Sequence, residues 1–333
     1  MRWSHCALIA LFATGCTHRK PTARWLLSYD GSWQRSVAGN EFYVRTLEGP
    51  PELRCRGGLF SGVVFLGLRE AGNGRWFAAW MNSTRSADAT LDDWYAYTDT
   101  LTAENGPFRR LDAAAASAKR KLSLAVMIPA LARGRTTLEL GGGGVGVVTA
   151  SDRERIYGAY IDTLRLRFDR GAFAHLRLDA VYWLDEAVWG PTASGTDEPK
   201  PAIVAAHRRG LKVFWIPYYG AGGASRWREL GFDAAWQQPN FFFDSSLSSA
   251  RLDTAVQRAD AAGMGLELEL DKRVVTDSAS RRRLRESVLA LRGARQRDLT
   301  VYDGGGALYE LFTSSRPELR AAALEVAHFL CQR

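Results

Sequence analysis

From Arg24 onward the chain alternates short apolar runs with longer segments of helical period. RWLLSY (24–29) is the first run and stops at Asp30-Gly31-Ser32, a turn signal. SGVVFLGL (61–68) is the second, and LSLAVMI (122–128), halted by Pro129, is the third. LDAVYWL (178–184), LKVFWI (211–216) and the segments 232–237, 265–270 and 299–302 bring the predicted strands to eight. Between them, apolar positions at i, i+3 and i+4 predict helices. One segment covers 91–118. Another covers 151–168, with Ser151 as N-cap. The others cover 201–209 (closed by Gly210), 249–262 (ended by Gly263), 278–292 and 317–330. Residues 31–60 and 69–90 read as long loops.

Eight strands separated mostly by helices predict a parallel sheet. Their number, within 333 residues, favours a single-domain α/β fold closed as a (β/α)8 TIM barrel over 24–333. An open doubly wound sheet is the alternative. Neither an internal repeat nor a Pro/Ser-rich linker divides the chain.

The first residues follow another logic. MRWSHCALIALFATGCTHRK has a positive start at Arg2, a short apolar stretch over 6–12, and small residues before Cys16. This order is that of a secretory signal, and the cysteine makes it resemble a bacterial lipoprotein signal. The expectation is removal of 1–15, a lipid on Cys16, a linker over 16–23, and a place on the membrane of the bacterial cell envelope. An ordinary signal peptide cut nearby is the alternative. Cys55 and Cys331 are then the two remaining cysteines in an oxidising setting, where they could pair.

Composition narrows the field. Hydrophobic residues at 46% and charged residues at 24% exclude a disordered chain or a coiled coil. The net charge of +8 comes from Lys and Arg dispersed along the chain, so no nucleic-acid partner is expected. Five scattered histidines give no metal-ligand spacing, and no cofactor motif is present. Gly141–Gly144 reads as a flexible loop over the barrel mouth.

In such a barrel the active site lies at the C-terminal strand ends. Those ends carry Tyr29 and Asp30; Tyr182, Trp183, Asp185 and Glu186; Trp215, Tyr218 and Tyr219; Gln238 and Asn240; Tyr302 and Asp303. The seventh strand reads Leu266-Glu267-Leu268-Glu269-Leu270-Asp271, with leucines on one face and carboxylates on the other. Burying carboxylates is costly unless they are used, so the acidic face is expected inside the barrel. Glu186 and Glu269 form the sharpest pair. Two carboxyl groups across a cleft are what glycoside hydrolysis requires, one as proton donor and one as nucleophile. Aromatic neighbours (Tyr182, Trp183, Trp189) would raise the Glu186 pKa by desolvation. Glu267, one step deeper, would perturb or orient Glu269; Asp271 could take the second role instead, and Asp185 competes for the first. Trp183, Trp215, Tyr218, Tyr219 and Trp227 suit stacking on sugar rings, with Gln238, Asn240 and Asp30 for the hydroxyls.

YWLDE (182–186), FWIPYYGAGG (214–223), RWRELGFDAAWQQPNFFF (226–243) and GMGLELELD (263–271) resemble the bacterial family called domain of unknown function 4855. LLSYDG (26–31) and DDWYAYTDTL (92–101) fit it too. The resemblance implies a glycosidase-type TIM barrel with acidic residues at Glu186, Glu267, Glu269 and Asp271, and carries no catalytic assignment. The chain has Leu184-Asp185 before Glu186, where a large clan of retaining barrel glycosidases has Asn. Two functions follow as expectations: a lipid-anchored glycoside hydrolase with a carbohydrate substrate, or a non-catalytic glycan-binding lipoprotein on the same barrel.

Overall fold

The computed structural model describes residues 23–32, 40–53, 55–78, 88–131, 137–140, 144–147, 149–188, 199–293 and 297–331. The signal segment, Cys16, Gly141–143 and Trp189 lie outside them. In chain order the elements are β1 (Arg24–Ser28), α1 (Asn40–Glu48), β2 (Gly62–Phe65), α2 (Leu91–Thr102), α3 (Pro107–Ser117) and β3 (Leu122–Ile128). A hairpin of β4 (Thr137–Leu140) and β5 (Gly144–Val147) follows, then α4 (Ala150–Gly171), β6 (Leu176–Trp183), α5 (Pro199–His207), β7 (Lys212–Trp215) and β8 (Ala234–Gln237). The chain continues with α6 (Ala250–Ala262), β9 (Gly265–Asp271), α7 (Arg273–Thr276), α8 (Ser278–Arg292), β10 (Leu299–Gly304), α9 (Ala307–Thr313) and α10 (Pro317–Cys331).

Eight strands close a barrel in the order β1, β2, β3, β6, β7, β8, β9, β10, and every pair is parallel. The fold is therefore the (β/α)8 barrel that the alternation predicts. Parallel pairing follows from the helices, which return the chain to the start of the next strand.

Strand parity then divides the side chains. At the bottom, Trp25, Phe214 and Trp236 point inward and meet edge to face, with centroids 4.9 and 5.1 Å apart. Two glycines make room for them. A Cβ on Gly62 would lie 2.5 Å from the Trp25 ring, and one on Gly265 would overlap Trp236. This aromatic floor fills the interior beneath the polar residues.

Several elements differ from the sequence reading. The segment 91–118 is two helices, broken between Ala103 and Gly106 and restarted by Pro107 at the first helical position. The N-cap of α4 is Thr149, not Ser151. Thr149 Oγ1 accepts the Asp152 N–H at 3.2 Å while Asp152 Oδ2 accepts the Thr149 N–H at 3.1 Å, a reciprocal box that Ser151 is placed too late to make. Within the supposed loop 31–60, α1 buries Phe42, Tyr43 and Leu47. At nine residues it is too short for its period to stand out. Gly144, read as part of a loop, starts β5, which pairs antiparallel with β4; the rest of that glycine-rich stretch lies outside the described residues. Cys55 and Cys331 form a disulfide with Cα atoms 5.4 Å apart, which ties α10 back to the loop before β2.

Candidate active site at the barrel mouth

Above the floor the inward positions change character. Glu267 and Glu269 share the inner face of β9 and are 3% and 2% exposed. Tyr29 follows β1, Tyr182 lies on β6 and Tyr302 on β10, and all three hydroxyls are raised by burial first, Tyr302 to about 12. The Glu267 charge adds to the rise of each. Residues from three separate strands sense one carboxyl because all of them face the same interior. Tyr29 and Tyr302 also meet edge to face at 5.7 Å. Thr300, two residues before Tyr302, lies beside Glu267, its hydroxyl 3.5 Å from Oε1. The sequence reading passed over Thr300, although the period of two through Tyr302 places it on the same face.

Glu186 stands just past β6 and is half-buried. Burial pushes its carboxyl up to about 7; a hydrogen bond from Gln238 opposes the rise and the neighbouring Asp185 adds to it. Glu269 is also pushed up to about 7 by burial, against three backbone N–H groups that favour its charge, with Glu186 adding to the rise. Glu267 lies well above the usual carboxylate range, through burial first and then the charges of Glu269 and Glu186. Three carboxyls thus share one low-dielectric space, where like charges resist simultaneous ionisation.

Other strand-end residues are placed differently. Trp183 and Trp215 are register partners on the outer face, while Tyr182 and Phe214 take the inner one. Trp183 meets Tyr157 of α4 edge to face at 5.9 Å, and Trp215 stacks on Phe232 at 4.8 Å. Trp227 is buried, and its Nε1 donates to the Ala262 carbonyl at 2.9 Å. The expected sugar-stacking surfaces of these three tryptophans are therefore packed between the barrel and its helices. Parity likewise turns Asp303 outward, where it accepts the Leu308 N–H at 2.9 Å at the start of α9. Burial pushes it up to about 7. Asp30 is 4% exposed; its Oδ2 accepts from Tyr43 at 2.9 Å and pairs with Arg110 at 2.8 Å. It fastens α1 and α3 to the end of β1.

Asp271 sits at the rim, ion-paired with Arg273 at 3.0 Å, and its charge reaches Tyr302. Asp185 shapes the turn before Glu186: its Oδ1 accepts the Ala187 N–H at 3.1 Å and its carbonyl accepts Trp215 Nε1 at 2.8 Å. Tyr218 is half-exposed, and its N–H donates to the Glu186 carbonyl at 3.3 Å. Tyr219 lies against α6 under the guanidinium groups of Arg251 and Arg258, 3.5 and 4.1 Å from its ring centre. Gln238 and Asn240 join the mouth, with Asn240 Nδ2 donating to Gln238 Oε1 at 2.9 Å. Among the described residues no group of three His, Cys, Asp or Glu side chains is arranged to hold a metal ion.

The mouth therefore brings together Glu186, Glu267, Glu269, Tyr29, Tyr182, Tyr302, Gln238 and Asn240. Chemically, it offers a carboxyl able to keep its proton near neutral pH beside others able to carry negative charge. That combination serves proton donation to a leaving group and stabilisation of a developing cation.

The family described as Domain of unknown function (DUF4855) matches residues 26–328. No curated protein matches the sequence. Among solved structures, tryptophan synthase from M. tuberculosis is similar at 11% identity and a TM-score of 0.44, over 94% of each chain. A tryptophan synthase a2b2 complex from the hyperthermophile Pyrococcus furiosus gives 10% identity and 0.42, covering 93% of this chain and 97% of that one. A GH18 chitinase from Pseudoalteromonas aurantia gives 10% and 0.41, covering 90% and 99%.

Proposed function

The chain belongs to the Domain of unknown function (DUF4855) family, and on that premise we propose that its barrel mouth hydrolyses glycosidic bonds. Glu186 is the proton donor, and the β9 carboxyls supply the negative charge opposite it. The observation that carries this reading is Glu186 itself, a half-buried carboxyl at the mouth pushed up to about 7 and coupled to Glu269. Protonating a glycosidic oxygen at neutral pH requires a carboxyl that has not lost its proton, and burial beside other carboxyls achieves this. Tyr29, Tyr182 and Tyr302 give the sugar an apolar wall with hydroxyls at its edge. The substrate is a poly- or oligosaccharide of the cell envelope or its surroundings, reached by a domain anchored through a lipid on Cys16.

The test is release of reducing ends from a panel of cellulose, xylan, chitin, chitosan, α-glucan and peptidoglycan glycan strands. Wild-type protein is expected to cleave at least one. Glu186→Gln is expected to lower that rate by about 10²–10⁴-fold while leaving the fold intact. Glycan binding by the wild type without any cleavage would replace hydrolysis with the binding-lipoprotein reading.

A further inference from the structure

Three loops at the mouth are tied into one unit by one carboxylate and two side-chain amides. Glu269 reaches from β9 to three consecutive backbone N–H groups. Asn240 donates to Oε1 at 2.8 Å, while Phe241 and Phe242 donate to Oε2 at 3.1 and 3.3 Å. Convergence of three amide dipoles on one carboxylate holds Asn240 in a left-handed turn, φ 47°. Asn240 in turn reaches the two neighbouring strand ends. Its Oδ1 accepts the Tyr219 N–H at 2.6 Å, and its Nδ2 donates to Gln238 Oε1 at 2.9 Å. Gln238 Nε2 donates to the Ile216 carbonyl at 2.8 Å, the Tyr218 N–H beside Tyr219 donates to the Glu186 carbonyl at 3.3 Å, and the Gln238 side chain opposes the rise that burial imposes on the Glu186 carboxyl.

A nucleophilic carboxylate needs a lone pair aimed at the anomeric carbon. Three of the four lone-pair directions of Glu269 are instead taken by the backbone, two on Oε2 and one on Oε1, in a residue 2% exposed. We infer that Glu269 is a positioning residue that acts on Glu186 through Asn240 and Gln238, and that these two amides hold the proton donor rather than the glycan. The inference rests on the reading of Glu186 as that donor.

The relay and a bare charge effect predict opposite signs for one measurement. Removing the Glu269 charge would by itself lower the titration midpoint of Glu186, because a neighbouring negative charge is lost. Loosening Gln238 would raise it, because a hydrogen bond that favours the ionised form is lost. The experiment follows the Glu186 carboxyl by carbon-13 NMR in folded wild-type protein and in Gln238→Met, Asn240→Gly and Glu269→Gln. All three variants are expected to move the midpoint upward, Gln238→Met by about 0.5 pH units or more. In the Gln238→Met background, Glu269→Gln is expected to give no further rise. A fall or no change in Glu269→Gln, or an undiminished rise in the double variant, would overturn the relay. Should Glu269→Gln fail to fold, Asn240→Gly decides, since glycine accepts the left-handed φ; an unmoved midpoint there overturns it equally. The titration needs no substrate, so absence of glycan cleavage would count against the proposed function and leave this result standing.

Discussion

At the floor of the barrel, Trp25, Phe214 and Trp236 fill the interior edge to face above two obligatory glycines. At the mouth, the same inner face carries Tyr29 after β1 and Glu269 on β9, while Tyr182 joins from β6. β9 shows the contrast within one strand: Gly265 yields to an indole ring, and Glu267 and Glu269, two and four residues on, are buried carboxyls. Apolar filling gains stability from area removed from water, whereas burying carboxyls costs it. The floor is thus where the barrel is held shut, and the mouth is where stability is given up.

The sharpest way to break this contrast is to reverse it at the floor. Trp236→Ala empties a fully buried site and is expected to destabilise the fold by about 3–5 kcal/mol, read from urea unfolding, while Glu186 keeps its titration. Loss of less than about 1 kcal/mol would mean that the floor is not the structural layer. A smaller effect is expected at the chain's far closure. Cys331→Ser opens a disulfide spanning 276 residues in sequence and is expected to cost about 2–4 kcal/mol, measured against wild type under oxidising conditions.

The smallest effect has the opposite sign. Glu267 is held well above the usual carboxylate value of 4.5, so the folded state keeps a proton that the unfolded chain has lost. Stability from such a group is fully present below pH 4.5 and is lost as pH rises toward the folded value. Glu186 and Glu269, both near 7, lose theirs across the same window. Glu267→Gln should therefore be more stable than wild type at pH 7, with the difference closing toward pH 4.5. Equal stability at both pH values would mean that this mouth position carries no such strain.

Much of the frame was legible because strands and helices announce themselves by period. β3 runs over the residues the pattern predicts, and Gly263 ends α6 at φ 62° as its place after the last apolar turn requires. The acidic face of β9 was legible for the same reason, since a strict alternation turns the leucines to one face and the carboxylates to the other, although both faces are buried. What escaped was parity in strands without alternation. In LDAVYWL and LKVFWI nearly every residue is apolar or aromatic, so nothing marks Tyr182 as inward and Trp183 and Trp215 as outward. Asp303 was misplaced for the same reason, one residue beyond an inward tyrosine. Partners distant in sequence were also hidden. Arg110 meets Asp30 across 80 residues, and Glu269 meets Asn240 across 29. The first third was hardest, because α1 is short and the region after β2 is joined by isolated bridges such as Arg69 to Trp76.

The contrast between floor and mouth comes to a point in one proton. Carbon-13 NMR of the Glu186 carboxyl in the wild-type protein reads it directly, without a substrate. A midpoint near 7 is predicted, set by burial against the opposing Gln238 hydrogen bond. A midpoint at the ordinary value of 4.5 would contradict the account, because Glu186 would then be ionised at neutral pH and could not protonate a leaving group.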